Sequence, residues 1–122
     1  MVFTDAGKEL TALQAWTPSG NRPIAIAIGS GSGTAAATNL ALIAETDRNL
    51  FTGGSVDYAT PKEVSMQADW NSIDMSGLKI TEFGVFNTSG TTTGSVFARE
   101  AFNSINFDGT NELQIQITFQ TF

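Results

Sequence analysis

Leu113, Ile115, Ile117 and Phe119 alternate without a break with Gln114, Gln116, Thr118 and Gln120. Successive side chains of an extended chain point to opposite faces, so this pattern separates a dry face from a wet one only as a β-strand. A helix would scatter the same apolar residues around its circumference. The segment therefore predicts a half-buried antiparallel strand with a polar outer face. Asp108-Gly109 supplies the turn that precedes it. That outer face is built of Gln and Thr and carries none of the charges that usually protect a sheet edge. Either another strand or a second subunit is expected to cover it.

The same period-two logic finds partners for this strand. Val64, Met66, Ala68 and Trp70 alternate with Ser65, Gln67 and Asp69. Ile24 to Ile28 form a short apolar strand that runs into Gly29-Ser30-Gly31-Ser32-Gly33. Leu78 to Phe86 and Ser95 to Phe102 read as two more strands, joined by an exposed Thr/Gly/Ser loop at 87–94 too long for a tight hairpin. Residues 35–45 are Ala-rich and are read as an irregular loop. Only residues 4–16 read as a helix: Thr4 or Asp5 caps it, Leu10, Leu13 and Trp16 share a narrow apolar stripe, and Pro18-Ser19-Gly20 stops it. The expected architecture is one domain spanning 1–122, mainly β: an antiparallel, jelly-roll-like β-sandwich with one N-terminal helix.

Chemistry is bounded by what the chain lacks. With no Cys and no His it has no thiolate zinc site, no disulfide, no Cys nucleophile and no imidazole base. Twelve acidic residues oppose six basic ones, for a net charge of −6. Lys8, Arg22, Arg48, Lys62, Lys79 and Arg99 are dispersed, so no basic patch is offered to a phosphate backbone, and nucleic acid is not expected as a partner. No apolar run approaches the ~20 residues of a membrane span, and the start Met1-Val2-Phe3-Thr4-Asp5 does not read as a signal peptide. The chain is therefore expected to be made in the cytoplasm, with no membrane partner. Asp57, Asp69, Asp74 and Asp108 lack the close spacing of a calcium loop. No metal and no cofactor is expected.

Two constellations invite a sharper reading. Gly31-Ser32-Gly33-Thr34-Ala35-Ala36 follows an apolar strand, as a dinucleotide-binding turn would, and Asp57 stands about where a ribose-binding acid would. A nucleotide site at Gly29–Ala36 is thus the alternative from another class. It requires a following helix and repeated βαβ units, whereas antiparallel-type sequence follows here; a plain inter-strand loop is favoured. The second constellation is a pair of carboxylates, Glu82 and Glu100, each set within an apolar strand. A glycosidase could use such groups. A buried carboxylate must be paired or hydrogen-bonded, and Arg99 is the local cation, so a structural Glu82–Arg99 cross-strand pair is favoured over catalysis.

Three stretches together carry a resemblance. Phe3-Thr4-Asp5-Ala6-Gly7-Lys8 opens the chain. Ile26-Ala27-Ile28-Gly29-Ser30-Gly31 precedes Thr34 to Ala44 and Glu45-Thr46-Asp47-Arg48. Ile80-Thr81-Glu82-Phe83-Gly84-Val85-Phe86-Asn87 is followed by Val96-Phe97-Ala98-Arg99 and the alternating C-terminal strand. This order resembles a broad group of small tailed-phage virion proteins, in which a "T-x-A-G" helix precedes an "ALGTG"-like strand, then a "T-E-x-G-L-F" strand and an "L-A-R" strand. Ser30 stands here in place of the Thr of that second pattern, and the Trp70 strand is a further departure. None of these motifs is catalytic.

The resemblance implies a non-enzymatic structural subunit of the virion, in a tail fibre, collar or baseplate, with capsid decoration as the close alternative. It also implies a homo-oligomer, a trimer by preference, docked on other virion proteins. The candidate interface residues are Leu10, Leu13 and Trp16 on the helix, with Gln114, Gln116, Gln120 and Phe122 at the C-terminus.

Overall fold

The computed structural model describes residues 1–14, 23–57 and 62–121. In chain order they form β1 (Val2–Phe3), α1 (Asp5–Gln14), β2 (Ala25–Gly29), β3 (Glu45–Leu50), β4 (Gly53–Asp57), β5 (Lys62–Trp70), α2 (Ser72–Met75), β6 (Lys79–Phe86), β7 (Val96–Asn106) and β8 (Leu113–Thr121). Every strand pairing is antiparallel. The eight strands divide into a five-stranded sheet, β1-β7-β6-β2-β3, and a three-stranded sheet, β4-β5-β8. The fold is the antiparallel β-sandwich with an N-terminal helix that the alternation predicts.

The β5–β8 register explains that alternation residue by residue. Met66 lies opposite Ile117, Ala68 opposite Ile115 and Trp70 opposite Leu113, while Ser65 meets Thr118, Gln67 meets Gln116 and Asp69 meets Gln114. Apolar partners share one face and polar partners the other. The apolar face meets Ile26, Ile28 and Val85 of the larger sheet, and Met75, Phe97 and Phe107 complete the core. Trp70 is buried there, and its indole N–H donates to Asp47 Oδ2 on β3 at 3.1 Å. The ring is thus dry while its one polar atom is satisfied, and the bond ties the smaller sheet to the larger.

α1 is held to β7 by the residue that precedes it. Thr4 is fully buried; its N–H donates to Phe97 O at 2.7 Å, and its Oγ1 accepts from Gly7 N–H at 2.9 Å. That is an N-cap, and it leaves Thr4 outside the helix it starts. Gly7 lets the helix lie directly on the strand: a Cβ there would stand 2.6 Å from the Phe97 Cα. Leu10 then packs, half-buried, against the main core. The expected residues 15–16 of the helix, and the Pro18-Ser19-Gly20 stop, lie outside the described residues.

A buried ion-pair lattice behind the larger sheet

Cross-strand partners share a face, and this places four charges in two adjacent rows. One row runs Arg99, Gly84, Ala27, Arg48 across β7, β6, β2 and β3; the next runs Ala101, Glu82, Gly29, Glu45. Both arginines therefore lie in one row and both glutamates in the other, on the same face of the sheet. This face is turned away from the sandwich core. It is covered instead by the chain between β2 and β3, residues 30–44, whose Leu42 packs with Ala27, Phe86 and Val96 in a second apolar cluster.

Glu82 stands at the centre of the cover. Its Oε1 accepts from Arg99 Nε at 3.0 Å and from Ile43 N–H at 2.9 Å; its Oε2 accepts from the N–H groups of Gly31 and Ala44, each at 2.8 Å. Neither the Glu82 nor the Arg99 side chain is exposed. Burial pushes the carboxyl upward, but the Ala44 and Ile43 amides, the Arg99 guanidinium and the Gly31 amide outweigh it and hold the group below the usual carboxylate range. The pair is diagonal: Glu82 faces Ala101 directly, and Arg99 faces Gly84. Arg99 spends its other nitrogens on Asn39 Oδ1 and Gly33 O, at 3.3 and 3.4 Å. Both ends of the 30–44 segment are thereby tied to one salt bridge.

This geometry decides what the glycine-rich loop does with its amides. Gly31 N–H, which a phosphate would need, already serves Glu82. Gly31 is also required sterically, since a Cβ there would lie 2.2 Å from Glu82 Oε2. No helix follows the loop within the described residues 30–44, and β2 meets β3 and β6 antiparallel. The internal carboxylate occupies the place of an external anion. Beside the loop a shallow cleft opens, with Val2, Ser32, Thr81, Glu100 and Asn103 on its walls. Glu100, the second carboxylate singled out in the sequence, pairs there with the N-terminal ammonium and stands apart from Glu82.

The second pair, Arg48–Glu45, escapes sequence reasoning. Residues three apart in a regular strand point to opposite faces. The β2–β3 register slips between Ile28–Asp47 and Gly29–Glu45, leaving Thr46 as the extra residue of a bulge, which brings Glu45 onto the face of Arg48. Their bidentate bonds measure 2.9 and 2.7 Å. Arg48 also lies 3.8 Å over the Phe86 ring and donates to Thr88 O, Thr88 Oγ1 and Thr93 O, so it pins the 87–95 loop. At that loop's tip Thr92 has φ 61°, an uncommon conformation for a β-branched residue.

The C-terminal candidates separate differently. Gln114 and Gln116 are exposed on β8, and Gln114 donates to Asp69 Oδ1 at 2.9 Å within its own sheet. The side chains of Leu13 and Gln120, and all of Trp16 and Phe122, lie outside the described residues. What the Gln/Thr pattern marks most directly is an edge: β8 pairs with β5 on one side, and among the described residues no strand pairs with the other. An apolar groove of about 220 Å³ lies beside it, lined by Phe83, Phe102, Ile105, Leu113 and Ile115 among others.

Among the described residues no cluster of acidic side chains is arranged to hold a metal ion, no buried side-chain polar atom lacks a partner, and no helix is long and apolar enough to cross a membrane. The fold and its buried charges define the class: an antiparallel β-sandwich whose larger sheet carries an ion-pair lattice sealed by a loop. No known protein family matches the chain, and no curated protein sequence is similar to it.

Proposed function

We propose that this chain is a non-enzymatic structural subunit of a tailed-phage particle, acting through assembly with copies of itself and with other virion proteins. The observation that carries this reading is the open, uncharged β8 edge beside an apolar groove. Such edges invite another chain, and natural sandwiches usually protect them. The use of the buried charges supports it: Glu82, Arg99, Glu45 and Arg48 are each engaged in holding loops to a sheet, which suits a rigid building block. The order of motifs shared with small phage virion proteins supplies the particle, and suggests three copies. A tail fibre, collar or baseplate position is preferred, with decoration of the shell as the alternative.

Antibody labelling of intact particles from the source of the chain tests this placement. Label confined to the tail supports the first position, and label distributed over the shell supports decoration. Particles that never carry label would refute the virion reading.

A further inference from the structure

We propose that β8 is a two-fold self-pairing edge: it binds β8 of a second copy antiparallel, about an axis through Ile117. The inference rests on the assembly reading above and names its contact. The four sheet edges differ in a way that selects this one. β3 carries Asp47 beside the ion-paired Glu45 and Arg48; β4 is short and ends in Asp57; β1 is two residues long. β8, from Leu113 to Thr121, contains no charged residue. Each copy carries a net charge of −6, so like copies repel wherever charged edges meet and approach most readily along the uncharged one. A partner of opposite charge would have no group on β8 to recognise. An identical neutral strand does.

The sequence of β8 is complementary to itself in that geometry. An axis through Ile117 sets Gln116 opposite Thr118 of the other copy, Gln114 opposite Gln120, Ile115 opposite Phe119 and Leu113 opposite Thr121. Gln116 and Thr118 then meet on the outer face, and Ile115 and Phe119 meet on the inner face. Any axis through a residue keeps this matching, but the one through Ile117 pairs all nine residues. An isologous contact of this kind closes after two copies and does not grow into a fibre. It joins two three-stranded sheets into one of six, β4-β5-β8 continued through its two-fold mate. It also brings the second copy's Phe119 next to Ile115, a residue of the apolar groove. The elementary assembly is thus a dimer, where the resemblance suggests three copies.

The test is light-scattering mass of the unmodified chain and of two charge variants, Q116K/T118K and Q116E/T118E. Gln116 and Thr118 are exposed, so both variants are expected to keep the circular dichroism of the parent. The unmodified chain should have twice the mass of one chain. Each variant, with like charges facing across the axis, should be monomeric at the same concentration, and an equimolar mixture should regain the dimer. If either variant misfolds, mixing Gln116→Cys with Thr118→Cys chains replaces it: the parent has no Cys, and a disulfide between them should form only in the mixture. A trimer, or a dimer whose mass neither charge pair alters, would overturn the β8 contact and leave the assembly reading standing. A monomeric parent chain would overturn both.

Discussion

Arg99 Nε donates to Glu82 Oε1 at 3.0 Å, and neither side chain reaches solvent. The same carboxylate accepts the N–H groups of Gly31, Ile43 and Ala44, which lie on the segment covering the sheet. One buried anion therefore joins β6, β7 and both ends of the cover. Removing it strands a buried guanidinium and three amides together. Glu82→Ala should destabilise the fold by about 3–5 kcal/mol in urea unfolding, the range for breaking a buried pair. An effect within about 0.5 kcal/mol, as at ordinary surface positions, would contradict the lattice.

The depressed pKa of Glu82 gives a pH signature. The unfolded carboxyl titrates near its ordinary value of 4.5, and the folded one below it. Between the two, the unfolded chain binds more protons, so stability rises with pH. The contribution of Glu82 is fully present above about pH 5 and is lost as pH falls through its folded pKa. Glu82→Gln should flatten that part of the acid limb when urea midpoints are followed from pH 7 to pH 3. An unchanged acid limb would mean that other carboxylates carry it.

Gly31 tests the cover from the other side. Gly31→Ala places a methyl group against Glu82 Oε2 and Ile43 Cβ, and should cost about 1–3 kcal/mol as an overpacked site. The same geometry predicts that NAD or ATP at millimolar concentration leaves the melting temperature unchanged, because Gly31 N–H is already engaged. A dose-dependent rise abolished by Gly31→Val would restore the nucleotide reading.

How much of this was legible depends on whether a residue's own neighbours or a distant strand decide its place. β5 and β8 announce themselves because each has one wet and one dry face, and burial enforces the period. β3 and β4, Glu-Thr-Asp-Arg-Asn-Leu and Gly-Gly-Ser-Val-Asp, carry no such period. They lie at sheet edges and owe their strand form to hydrogen bonds from β2 and β5. α2 is a single turn started by Asn71, which accepts the Asp74 N–H, and four residues are too few to show periodicity. The Glu82–Arg99 pair could be read because two charges stood within apolar strands. The amides of residues 31, 43 and 44 could not, since they converge only once the cover closes. The Glu45–Arg48 pair was hidden by one bulge residue, Thr46, that no composition reveals.

Thr92 offers a substitution in the stabilising direction. Its φ of 61° strains a β-branched residue in a loop otherwise pinned by Arg48 and Glu45. Thr92→Gly should raise stability by about 0.5–1 kcal/mol, the relief of backbone strain exceeding the entropy that glycine adds to the unfolded chain. Thermal unfolding monitored by circular dichroism reads the change. A loss of stability would place the value of Thr92 in its side-chain contacts instead.

If the chain works by assembling, sedimentation equilibrium of the unmodified protein will show it. Measured over a hundredfold range of concentration at neutral pH, the weight-average mass should correspond to a closed homo-oligomer at the upper end and fall toward one chain on dilution. A mass of one chain at every concentration would contradict the claim.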